Sequence, residues 1–167
     1  MLDLQIYQTL AEYNHWMTEK LYAAADSVPD SVRKEDRGAF FRSIHSTFNH
    51  ILMGDIAWMQ RFTERPYPIA VKGMGVDIFE DYAALQSAHL DMALYIKDWS
   101  QTLKSEWLSG QLHWESLADN VPRERPCWLC VSHLFNHQTH HRGQITTLLK
   151  QLDVDVGDTD LPFMPGL

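Results

Sequence analysis

The sequence predicts an all-α protein, a four-helix bundle, and three observations carry that expectation. Four long segments place apolar side chains at alternating steps of three and four, the signature of one buried helical stripe. Glycine and proline are sparse, and the breaks between those segments are marked by Pro29, Pro66 and Pro68, Gly73 and Gly75, Gly110, Pro122 and Pro126, and the Pro162–Gly166 tail. The composition, 45% hydrophobic and 22% charged, is that of a packed globular chain, and no fixed-period repeat points to a solenoid. Amphipathic helices cannot bury their stripes alone, and packing four side by side is the simplest solution.

The first segment runs from Leu2 to Ala25, with Tyr7, Leu10, Asn14, Met17, Leu21 and Ala24 on one face. The second runs from Gly38 to Thr63, with Phe41, Ile44, Phe48, Ile51, Asp55, Trp58 and Phe62. The third runs from Ile78 to Trp107, with Asp77 as its expected N-cap and Glu80 as capping-box partner. His89 lies in its stripe, between Leu85 and Met92. The fourth runs from Pro126 to Leu152, with Val131, Leu134, Gln138, His141, Ile145 and Leu148 facing inward, and Pro126 suits its first turn. Links 26–37, 64–77 and 108–125 are long enough to cross an end of the bundle. In the last, Leu112 and Trp114 alternate with polar residues, as in a short hairpin. Leu161, Phe163 and Met164 are expected to fold the tail back over the helices.

At 167 residues the chain fits one domain, residues 1–167, with a core that needs no staple. The balance of 14 basic against 22 acidic residues, a formal charge of −8, argues against nucleic acid as a partner. No apolar run approaches the roughly 18 residues a membrane span requires. The start, Met1-Leu-Asp-Leu-Gln, lacks a basic region followed by an apolar core, and two cysteines make no disulfide framework. A reducing cytoplasm is the expected setting.

The chemistry concentrates in the fourth segment, where four of the nine histidines stand: His133, His137, His140 and His141. His137 and His141 are one helical turn apart and share the inward face, so two imidazoles can reach one metal ion. The residue after the first is Gln138, so the general base of an HExxH protease is missing. A third ligand must come from another helix: His15, His45, His50, His89 and His113 are available, with Asp55 as an acidic option. His50 is favoured because Ser43, Ser46, Thr47, Gly54 and Ala57 on its face leave room for an ion and a bound molecule; His89 is next. Asp55 could instead orient a ligand imidazole or pair with Arg61. Cys127-Trp-Leu-Cys130 opens the same helix, where the helix terminus would favour a thiolate. No βαβ pattern and no second CxxC accompany it, so packing is the expected role. Asn14 could reach the site or set helix register, and the unusual mid-helix Gly143 implies a close helix approach.

These residues resemble a known family. The segment Ser132-His-Leu-Phe-Asn-His-Gln-Thr-His-His-Arg-Gly-Gln144 is similar to the final-helix motif of the DinB (damage-inducible) family. Ser43-Ile-His-Ser-Thr-Phe-Asn-His-Ile-Leu52 is similar to its second-helix motif. Tyr13-Asn-His-Trp16 and the tail from Val154 to Gly166 also fit. The resemblance implies an up-up-down-down bundle with long crossover links and a divalent metal held by His50, His137 and His141. It further implies a homodimer and chemistry akin to thiol-dependent transferases. The expected function is therefore a metalloprotein acting on a small molecule, with a low-molecular-weight thiol as candidate substrate and thiol transfer or hydrolysis as the reaction class. Three neutral ligands leave the ion able to acidify a water or thiol. Zinc, nickel and iron all suit imidazole. The rival expectation is a non-catalytic stress-response or binding module whose metal is structural.

Overall fold

The computed structural model describes residues 4–70, 73, 75–116 and 119–166. Its elements are α1 (Leu4–Ala25), the single turn α2 (Asp30–Arg33), α3 (Ile44–Thr63), α4 (Tyr82–Ser100), the single turn α5 (Ser105–Leu108), β1 (Gln111–Glu115), β2 (Pro122–Pro126) and α6 (Cys127–Lys150), with a 3₁₀ turn at Leu161–Phe163. The four long helices are those the periodicity predicts. The expected start of the first, at Leu2, lies outside the described residues.

Two helices begin later than the apolar pattern implies, because the backbone groups there are committed elsewhere. Residues 38–42 form a tight turn in which Ala39 and Arg42 pair, with Gly38 at φ +71° and Arg42 at φ +67°. Ser43 then caps α3, its Oγ accepting from the Ser46 N–H at 3.0 Å. The stretch before α4 is held by Asn49, whose Oδ1 accepts from the backbone N–H of Ile78 (3.0 Å) and of Phe79 (2.9 Å). The Phe79 carbonyl is in turn taken by His45 Nε2 at 2.9 Å and Asn49 Nδ2 at 3.1 Å, so it cannot serve a helical ladder. The cap is therefore Asp81, bonded to Ala84 N at 2.8 Å, and not Asp77. At its other end α4 stops at Ser100, which leaves Trp107 on the separate turn α5. The short hairpin is present: β1 pairs antiparallel with β2 and buries Leu112.

Helix α1 lies against α4 and α6, and α3 lies against the same two, so α1 and α3 are diagonal. Side-chain pairs define the senses. Tyr22, late in α1, stacks on Phe48, early in α3, at 4.1 Å. Early α3 meets early α4 (Phe48 with His89) and late α3 meets late α4 (Phe62 with Trp99), so these two are parallel. His50 and Trp58 meet His141 and His133, so α6 runs opposite to α3. The bundle is thus up-down-down-up, which corrects the expected up-up-down-down. The reason is that residues 26–43 turn back at one end, with α2 as a plug. Arg33 Nη1 there donates to the Ala25 carbonyl at 3.0 Å while the guanidinium covers the Tyr82 ring at 3.7 Å. Only residues 64–81 cross the full length, and a chain of that size reaches well beyond the roughly 30 Å needed.

Beneath the apolar core sits a buried polar layer to which every long helix contributes: Asn14, Asp55, His89, Gln138 and Arg142. Arg142 donates to Asn14 Oδ1, and Gln138 Nε2 donates to Asp55 Oδ1 at 2.9 Å. The tail returns along α1, where Tyr13 donates to the Thr159 carbonyl and Lys20 Nζ to that of Asp158 at 2.6 Å. Met164 is buried as expected, but Phe163 is exposed. None of the described helices is long and apolar enough to cross a membrane.

Candidate metal centre

Helix α6 presents His137 and His141 on one face one turn apart, and antiparallel α3 delivers His50 between them. His50 Nε2 lies 2.9 Å from His137 Nε2 and 3.1 Å from His141 Nε2. The three rings form a cluster in which one nitrogen from each lies within 4.8 Å of the other two. His50 and His141 are buried and His137 is half-buried.

The protonation states follow from burial. Desolvation, and then the neighbouring rings, hold His137 down to about 3. Desolvation and then His141 hold His50 down to about 4. Burial lowers His141 as well, opposed by its bond to Gln144. At neutral pH the rings are uncharged, so each offers a lone pair. For His141 the tautomer is defined: Nδ1–H donates to Gln144 Oε1 at 2.8 Å, leaving Nε2 free to coordinate. Three ring nitrogens turned toward one another suit a shared cation, and the depressed basicity disfavours protons in that role. This donor set fits a divalent metal ion.

Two further residues build the site. Gly54, one turn after His50, makes room for His137: a Cβ there would stand 2.8 Å from His137 Cε1 and 3.3 Å from Nδ1. Phe41, in the turn before α3, stacks on the His50 ring at a centroid distance of 3.7 Å and meets His141 edge-on at 5.3 Å. Gly54→Ala separates the two roles of that position. Alanine gains about 1 kcal/mol of helix propensity, yet it pushes His137 aside. Metal affinity is expected to fall by roughly 10–100-fold, the size of effect that misoriented ligands produce, with an unchanged or higher melting temperature of the metal-free protein. Competition titration against a chelator, paired with thermal melts, measures both.

The other candidates lie elsewhere. His89 is buried beside Asp55, bonded through Nδ1 to Tyr22 Oη at 3.1 Å. Asp55 is fully buried, bonded to Gln138, and takes neither a ligand role nor Arg61, whose guanidinium lies over Trp58 at 4.7 Å. His45 holds the Phe79 carbonyl, His15 stands near Glu19, and His113 is exposed. Asn14 serves Arg142 rather than the site. A Cβ on Gly143 would meet nothing within 4 Å among the described residues, so the expected close approach occurs at Gly54 instead. Cys127 and Cys130 are buried free thiols, and desolvation raises both rather than the helix terminus lowering them. Sequence reasoning assigned Phe41 to a helical stripe and gave Gln144 no role. The signal for Gln144 was its spacing, three residues after His141 on a helix.

The family model described as "DinB family" matches residues 1–166. The chain is similar to Protein DinB of Bacillus subtilis (strain 168), with 23% identity over 154 residues, covering 90% of this chain and 88% of that one. No solved structure matches it. The match over almost the whole length agrees with the helical bundle and with the histidine cluster between its second and last long helices: the chain belongs to the DinB family.

Proposed function

We propose that residues 1–167 form one domain whose His50, His137 and His141 hold a single divalent metal ion. We further propose that this centre acts on a small molecule by thiol transfer or hydrolysis. The convergence of three neutral imidazole nitrogens from two antiparallel helices carries the reading. A divalent ion bound there would supply Lewis acidity at neutral pH. The chain's own groups do the rest. Gln144 fixes the His141 tautomer, Gly54 admits the His137 ring, and Phe41 covers one face of the His50 ring. A cavity lined by His50 is the route by which a substrate would reach the centre.

Protein purified without added metal and without a nickel column is expected to contain about one equivalent of divalent metal per chain, and His50→Ala to contain none. Turnover with low-molecular-weight thiols and electrophiles then tests catalysis. Chelation should lower the melting temperature, because ligands binding only the folded state stabilise it by up to about 4 kcal/mol at a thousandfold excess over Kd. Helical circular dichroism at 25 °C should survive, since the core is assembled without help from the site. Metal-free protein as isolated, with no uptake on titration, defeats the proposal.

A further inference from the structure

The cavity beside His50 measures about 730 Å³ and opens between the turn at 39–42 and the segment at 75–77. We infer that it seats an uncharged apolar group, aryl or branched alkyl, belonging to the substrate of the histidine centre. This rests on the metal-centre reading and adds to it the chemistry of the molecule bound.

Three observations carry the inference. The first is apolar exposure on both walls. Phe40 is 82% exposed and Val76 50% exposed, and both line this one cavity with Phe41 and Met53. Leaving a phenylalanine or valine side chain in water forgoes roughly 1.5–3 kcal/mol of burial, a loss that a bound apolar group recovers. The second is charge. The Arg42 guanidinium is engaged, Nε donating to Asp36 Oδ2 at 2.9 Å. Asp77 Oδ2 accepts from Ser46 Oγ at 3.0 Å and leaves its negative charge on the wall. Arg42 is the one Lys or Arg among the described lining residues and already faces the Asp36 carboxylate, and the Asp77 carboxylate opposes an anionic ligand. The third is position and size. Phe41 is both a wall of the cavity and the ring stacked on His50, so a group packed on Phe41 sits one ring away from the centre. The volume falls within the roughly 300–1,000 Å³ of small-molecule sites.

The test uses cobalt-loaded protein and three primary thiols: benzyl mercaptan, 2-mercaptoethanol and 3-mercaptopropionate. Binding is followed by the visible absorption of the cobalt. Benzyl mercaptan is expected to bind at least about tenfold more tightly than 2-mercaptoethanol, as burial of a phenyl group predicts, and 3-mercaptopropionate most weakly. In Phe40→Ser, a change at an exposed position that the fold tolerates, the preference for benzyl mercaptan should shrink by at least about threefold. Equal affinities, tightest binding of the anionic thiol, or a preference untouched by Phe40→Ser overturns the inference while leaving the metal centre standing. Failure to take up one equivalent of cobalt overturns the metal-centre reading, and this inference with it.

Discussion

Replacing His137 by alanine is expected to abolish stoichiometric metal binding while the bundle stays folded. His137 lies nearest to His50, at 2.9 Å between Nε2 atoms, and it shares the α6 face with His141. Its loss leaves two imidazoles on different helices, so affinity should fall by more than the roughly 100-fold that outer-shell changes produce. The fold should survive because the ring is half-buried and meets the neighbouring histidines and Gly54 rather than the apolar core. Its Nδ1 finds no hydrogen-bond partner among the described residues, and its basicity is depressed by burial and by the neighbouring rings. Equilibrium dialysis against zinc with metal analysis, alongside circular dichroism, gives the answer. A folded variant that keeps one tightly held equivalent would show that the third imidazole is dispensable.

The second large effect concerns the buried polar layer. Burial raises the Asp55 carboxyl from 3.8 to about 7, opposed by the Gln138 hydrogen bond and by Arg142. A group whose folded value lies above its unfolded one holds its proton better in the folded state. Its contribution to stability is therefore fully present below about pH 4 and is lost as pH rises through about 7. The gap corresponds to about 4 kcal/mol at full titration. Asp55→Asn keeps an oxygen to accept from Gln138 Nε2 but never ionises. The stability of the variant relative to the parent should thus climb by up to about 4 kcal/mol between pH 4 and pH 8. Denaturant unfolding of both proteins across that range measures it. A difference that stays flat with pH would mean that Asp55 does not titrate in the folded state as burial dictates.

The fold was legible because the burial of apolar stripes, which chiefly drives it, is periodic in sequence. Tyr7, Met17 and Leu21 of α1 and Ile44, Phe48 and Ile51 of α3 are buried as their spacing dictates. Helix starts were less legible because they depend on tertiary partners. Asn49 claims the backbone before α4 across about thirty residues of sequence, and no local pattern announces that. Helix sense was equally hidden, since residues 26–43 and 64–81 have similar lengths and only one of them crosses the bundle. At the histidine cluster the i, i+4 pair on α6 was readable as geometry. For the third position the small residues around His50 favoured it over His89 and Asp55 without deciding between them, because all three are interior positions. Packing against Tyr22 and Gln138 decides that His89 and Asp55 belong to the polar layer.

The diagonal placement of α1 and α3 bears on how the protein is made. Consecutive helices set at opposite corners make a poor hairpin on emerging from a ribosome, which releases the N-terminal part first. Both pack on α4 and on α6, the last long helix, which occupy the other two corners. His50 is synthesised 87 residues before His137, so no nascent fragment ending before α6 carries the histidine cluster. Metal uptake at the proposed site would in that sense certify completed synthesis: only a chain that has received its final helix presents the three imidazoles together.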